Sequence, residues 1–149
     1  MKVALGADHA GFHLKEHLRS FLAEAGHTIQ DFGAHSLESV DYPDLAAVVA
    51  HAVAEGRFEA GILVCGSGTG MAIAANKVPG IRAAACFDVT SARLARAHNN
   101  ANVLALGERL LGSAVAEDVA AAFLSTSFDG GRHERRLAKI TALESSTPT

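Results

Sequence analysis

Cys65 stands at the end of the apolar run "AGILVC", and Gly66, Gly68 and Gly70 follow it, with Ser67 and Thr69 between them. A thiol at a strand end, facing the start of a helix, is favoured as thiolate. A thiolate can act as nucleophile, metal ligand or general base. The loop "GSGTG" brings bare backbone N–H groups close to an anion. That anion is a phosphate, or an oxyanion that develops during a reaction. The loop is not a Walker motif, because no GK[ST] follows, and it lacks the G-x-G-x-x-G spacing of dinucleotide sites. A tight strand-to-helix turn accounts for the glycines equally well, and a free cysteine is commonly just a small buried hydrophobe. Cys86 fits that description, since its alanine-rich strand has no glycine loop behind it. No C-x-x-C occurs, which argues against thioredoxin-like redox chemistry.

Three other clusters carry polar chemistry. Asp8 and His9 follow the first apolar run. Such a pair orients a base or holds a sugar hydroxyl, unless Asp8 merely caps a helix. His9, His13 and His17 recur every four residues, a ligand-like spacing. No acidic cluster lies near them in sequence, so the expectation is no metal. His98, Asn99, Asn100 and Asn102 crowd the step from a helix end into an apolar run. A histidine at a helix C-terminus is favoured as imidazolium and can donate a proton, while one asparagine serves as a left-handed cap. Arg132 and Arg136 lie one helical turn apart and share a face. Two guanidiniums so placed clamp a phosphate dianion, or simply form a solvated basic face.

The elements that must position these residues alternate between short apolar runs and longer helical patterns. Strands are expected at 2–6, 27–33, 60–65, 81–87 and 101–107. Helices are expected from Leu14 to Gly26, from Pro43 to about Gly56 and from about Thr69 to Asn76. Others run from an Asp88 or Thr90 cap to about His98, from Ser113 to Ser125, and from about Arg132 to Glu144. The polar alternation of the second strand marks an edge, and the continuous apolar run at 60–65 marks a centre. Such β–α alternation predicts an α/β fold, a parallel sheet with helices on both faces. Ligands bind such sheets beyond the carboxyl ends of the strands. Asp8, His9, Cys65 to Gly70 and Arg109 all follow strands.

The 149 residues fit one domain spanning 1–149, with a frayed tail at 145–149. Nearly half are hydrophobic, net charge is −3, and only three are prolines. This composition opposes disorder and gives no basic excess for nucleic acid. The opening "MKVALGADHAGF" turns polar too early for a secretory signal, and no stretch is apolar for long enough to span a bilayer. A cytoplasmic protein is expected. With no cofactor motif in view, the clamp, thiol, glycine loop and histidine suit a phosphorylated metabolite that undergoes proton transfers only.

Five ordered blocks sharpen this. "GADHAGFHLKEHL", "DYPDLA", "ILVCGSGTGMAIAANKVPGIRAA", "SARLARAHNNANVLALGERLLG" and "DGGRHERRLAKI" run from near Lys2 to about Glu144. Together they resemble the ribose/galactose isomerase family, in its type B ribose-5-phosphate isomerase branch. The resemblance implies a Rossmann-like three-layer α/β/α sandwich with five parallel strands, and a homodimer that sometimes pairs into tetramers. It implies an aldose–ketose isomerase acting through an enediolate, with no cofactor, metal, nucleic acid or membrane partner. It implies that Cys65 is the base, that N–H groups of Gly66, Gly68, Thr69 and Gly70 hold the enediolate oxygen, and that Ser67 assists. His98 would open the sugar ring, and Asp8 would handle a hydroxyl proton. His9, Arg132, Arg136 and Arg109 would bind phosphate, and Tyr42 and Asn99 the sugar. His98, Asn99 and Arg109 would come from the partner subunit. One branch of the family lacks the cysteine and places a glutamate after the loop; Met71 stands there here, which marks the cysteine type. Ser67 replaces a frequent threonine. The alternatives are a hexose 6-phosphate isomerase, a non-catalytic sugar-phosphate or nucleotide sensor, and a nucleic-acid adaptor.

Overall fold

The computed structural model describes residues 1–146. Five parallel strands form one sheet: β1 (Lys2–Ala7), β2 (Thr28–Asp31), β3 (Ala60–Cys65), β4 (Ala83–Ala85) and β5 (Val103–Gly107). Their order is β2-β1-β3-β5-β4, with every pairing parallel. Six helices connect and follow them: α1 (Phe12–Glu24), α2 (Tyr42–Ala54), α3 (Thr69–Ala75), α4 (Val89–Asn99), α5 (Ser113–Ser125) and α6 (Arg132–Glu144).

Strand alternation sends successive side chains to opposite faces, and both faces are covered. Val3, Leu5, Ile62, Val64, Leu104 and Leu106 pack under α1, α4 and α5, around Leu18 and Phe123. Leu63, Cys65, Val103 and Ala105 pack under α2 and α3, around Val49 and Met71. The α/β/α sandwich expected from the sequence is therefore present. All six residues of β3 are buried, as a central strand requires, and β2 is an edge with alternating exposure.

The ends of several elements differ from the sequence expectation. β4 keeps only Ala83–Ala85 of the apolar stretch 81–87. Asn102 explains its start: its side chain accepts from the Arg82 N–H at 2.8 Å and donates to the Gly80 carbonyl. A side-chain clamp thus replaces the ladder there. At the other end Cys86 still pairs by its N–H with the Ala105 carbonyl, but Asp88 turns the chain by capping α4 through the Ser91 N–H at 2.6 Å. The first helix begins with a tight turn at His9–Gly11 capped by Asp8. Of the expected frayed tail, residues 147–149 lie outside the described residues. Ser145 and Ser146 bond back to the Ala142 and Leu143 carbonyls at the end of α6.

Candidate active site

β1 and β3 are neighbours, yet the chain leaves β1 first toward β2 and only later reaches β3 on its other side. Such a reversal opens a crevice at the carboxyl ends of the two strands, where α/β sheets bind ligands. Asp8 and His9 follow β1 there, and Cys65 to Gly70 follow β3. Register pairs Cys65 with Gly107, so Glu108 and Arg109 join from β5.

Cys65 is buried and points into the α2/α3 layer. Its Sγ accepts the Gly68 N–H at 3.1 Å. A donor aimed at sulfur stabilises negative charge there. Gly68 adopts φ +79°, a left-handed conformation that glycine reaches without strain, and a Cβ there would lie 3.0 Å from the Leu106 carbonyl carbon. Of the loop N–H groups expected to meet an oxyanion, two are engaged internally: Gly68 on Sγ, and Thr69 on the Ser67 Oγ at 3.3 Å. The reason is local, because the turn closes on its own side chains. Gly70, in the first turn of α3, has no carbonyl four residues back within the helix, and its N–H meets no backbone acceptor among the described residues.

Asp8 Oδ1 accepts the N–H groups of Ala10 and Gly11 at 3.0 and 3.1 Å, so the carboxylate caps the turn that opens α1. Gly11 presses on the last peptide of β3, and a Cβ there would come within 2.9 Å of the Cys65 nitrogen. His9 Nδ1 accepts the Val40 N–H at 3.2 Å, which leaves Nε2 free and ties the 33–41 loop to the site. The Tyr42 ring lies against Gly70, where a Cβ would stand 2.7 Å from Cζ. The Arg109 guanidinium lies 3.4 Å from a Cβ placed on Gly66 of its own chain. Behind β1, Lys15 is fully buried and donates to Asp31 Oδ2 at 2.6 Å, while Asp31 Oδ1 accepts the Gly33 N–H. The Gly33 carbonyl in turn accepts the Ala7 N–H, so this ion pair braces the strand that delivers Asp8. Nothing in the local sequence marks Lys15 as buried, because Asp31 lies on β2 while Lys15 lies on α1.

The remaining candidates lie elsewhere. His98 and Asn99 end α4, which runs back to the opposite edge of the sheet, where the Arg82 guanidinium donates to the Asn99 and Asn100 carbonyls. Asn100, at φ +44°, is the left-handed cap. The five residues of β5 separate that edge from Cys65 by about 15 Å. The His133 ring of α6 stacks on His98 with centroids 4.4 Å apart and planes 13° apart. Burial, then His98, Arg132 and Arg136, hold the His133 imidazole below its ordinary pKa, against a smaller opposing pull from Asp129. Arg132 and Arg136 therefore group with His98 and not with His9. Within one chain, Arg109 lies beside Gly66, while Arg132 and Arg136 stand with His98. The cause is α6, which packs on α4 at the far edge. His133 was missed in the sequence, although it sits inside the quoted block "DGGRHERRLAKI".

The histidines spaced by four also part company. His9 meets Val40, His13 packs edge-on to Phe12, and His17 pairs with Glu117 at 2.6 Å.

The family model for ribose/galactose isomerases matches residues 3–140. The chain belongs to that family. Ribose-5-phosphate isomerase B of Escherichia coli (strain K12) is 48% identical over 143 residues, 96% of each chain. D-erythrulose-4-phosphate isomerase of Pectobacterium atrosepticum is 43% identical over 141 residues, 94% of this chain and 93% of the relative. The solved structure of Clostridium thermocellum ribose-5-phosphate isomerase B matches with a TM-score of 0.96 and 50% identity over 97% of each chain. Within this family of isomerases, the chain's thiol, glycine loop, Asp–His pair and Arg109 meet at one crevice, while its His98, Arg132 and Arg136 stand at the opposite edge.

Proposed function

We propose that the protein interconverts ribose 5-phosphate and ribulose 5-phosphate at sites shared between two chains. The observation that carries this is Cys65 Sγ, held by the Gly68 N–H beside a glycine loop at the β1/β3 crevice, in a chain whose relatives bear this activity in their names. The partner subunit's His98 donates a proton to the ring oxygen and opens the sugar. The Cys65 thiolate then takes the C2 proton. The C–H electron pair becomes the C1=C2 bond, and the carbonyl electrons settle on O1. The Gly70 N–H meets that oxyanion, with Ser67 beside it. The thiol returns its proton to C1, Asp8 Oδ2 relays the C2 hydroxyl proton to the O1 oxyanion, and C2 becomes the carbonyl. Electrons stay within the sugar, so no redox cofactor is needed.

Phosphate binding draws on His9 and Arg109 of one chain and on the partner subunit's Arg132 and Arg136. Tyr42 and the partner subunit's Asn99 hold the sugar. Two features support the second chain. The helix α6 buries only His133 and leaves Ile140 and Leu143 42% and 70% exposed. A largely apolar groove of about 590 Å³, lined by Ile81, Ala83, Ile140 and Leu143, follows the edge strand β4. Both are surfaces that a copy of the chain covers. Higher pairing into tetramers is read from the resemblance alone. No helix among the described residues is long and apolar enough to cross a membrane, and a reducing cytoplasm keeps Cys65 as a thiol.

The test is conversion of four-, five- and six-carbon aldose phosphates without added metal, with Cys65→Ala beside the wild type. The highest kcat/KM is expected on ribose 5-phosphate. Highest activity on a six-carbon phosphate would move the assignment to that substrate. Binding without turnover of any of them would make the protein a sensor.

A further inference from the structure

His98, Asp129 and His133 offer three ligand atoms that all lie within 4.8 Å of one another. They come from the end of α4, the 126–131 loop and the first turn of α6. The loop is anchored, because the Asp129 N–H donates to the Ala97 carbonyl at 3.0 Å. His133 is buried and Asp129 exposed, so the cluster has a fixed floor and an open mouth. We propose that this cluster is a binding site for a borderline divalent transition cation, Zn²⁺ being the type case, and that filling it withdraws His98 from sugar-ring opening.

The donor set is the argument. Two imidazoles and one carboxylate are the ligands of an open tetrahedral zinc site, with bonds of about 2.0–2.1 Å and a fourth position left to water. Hard cations such as Mg²⁺ prefer all-oxygen ligands and are not expected here. Two imidazole nitrogens on one tetrahedral zinc stand about 3.3 Å apart. The rings stack face to face, so both must turn to aim a lone pair at one ion, a motion of two side chains on firmly held backbone. Arg132 and Arg136 oppose the site, since both act electrostatically on His133. Asp129 offsets part of that charge. A sugar phosphate between the same arginines offsets more, so cation and substrate need not exclude each other by charge alone. Exclusion comes from His98, whose nitrogen cannot hold a metal and deliver a proton at once. Binding itself is independent of the isomerase reading; only its inhibitory consequence rests on that reading.

The experiment is calorimetric titration of the metal-free protein with Zn²⁺, on wild type, Asp129→Asn, His133→Ala and Cys65→Ala. One ion per chain is expected for wild type and Cys65→Ala. Affinity should fall roughly tenfold or more in the Asp129 and His133 variants. Asp129 is exposed, so its variant serves even if His133→Ala unfolds. Unchanged affinity in folded Asp129→Asn, or lost binding in Cys65→Ala, overturns the site. The same proteins are then assayed with ribose 5-phosphate. Zn²⁺ should slow wild type, and Asp129→Asn should need about tenfold more metal for the same loss. Binding at the cluster with no slowing leaves the metal site standing and removes His98 from the ring-opening step.

Discussion

At the scale of single residues, the proposed chemistry turns on the Cys65 thiol. Cys65→Ala removes the proposed base and leaves the loop, so the chain should fold while kcat falls by about 10²–10⁴-fold. Loss of C2–H exchange into solvent water, read by NMR, checks that the missing step is proton removal. The second thiol makes a different prediction. Burial pushes the Cys86 thiol up. An unfolded cysteine ionises near about pH 8.5, while the folded one keeps its proton. The native state then binds more protons than the unfolded state, so stability declines as pH rises above that value. Urea midpoints at pH 8 and 10 should converge in Cys86→Ala relative to wild type. The burial of Cys86 was legible in sequence, because its alanine-rich strand has no glycine loop behind it. His133 was not, because a ring that stacks on another element leaves no mark in local spacing.

At the scale of elements, the loops hold their shape because backbone meets backbone with no room between. A Cβ on Gly107 would lie 2.7 Å from the Ser67 carbonyl carbon. Gly107→Ala should therefore cost about 1–3 kcal/mol and displace the glycine loop, lowering both the melting temperature and kcat. Lys15→Met leaves the Asp31 carboxylate without its buried partner. A loss of about 3 kcal/mol is expected in urea unfolding. Most elements could be read from apolar period and caps: β3, α5 and α6 match the expected spans residue for residue. The ends of β4 could not, because Asn102 and Asp88 end that strand through side-chain bonds that periodicity does not report.

At the scale of the whole molecule, one chain holds the proposed site residues in two separate places. The sheet order carries Asp8, His9 and Cys65 to one edge, while α4 and α6 carry His98, Arg132 and Arg136 to the other. The resemblance implies a partner that supplies His98, Asn99 and Arg109. Within one chain the fold sets Arg109 beside Gly66 and Arg132 and Arg136 with His98, and the contacts between α4 and α6 that do so have no signature in either segment alone. The most direct test of shared sites is to unfold and refold Cys65→Ala together with His98→Ala, each inactive by itself. Random pairing places one intact site in each mixed dimer, so about a quarter of wild-type ribose 5-phosphate isomerisation should return. A mixture as inactive as its components, with mixed dimers confirmed by native mass spectrometry, would show that Cys65 and His98 do not meet across two chains.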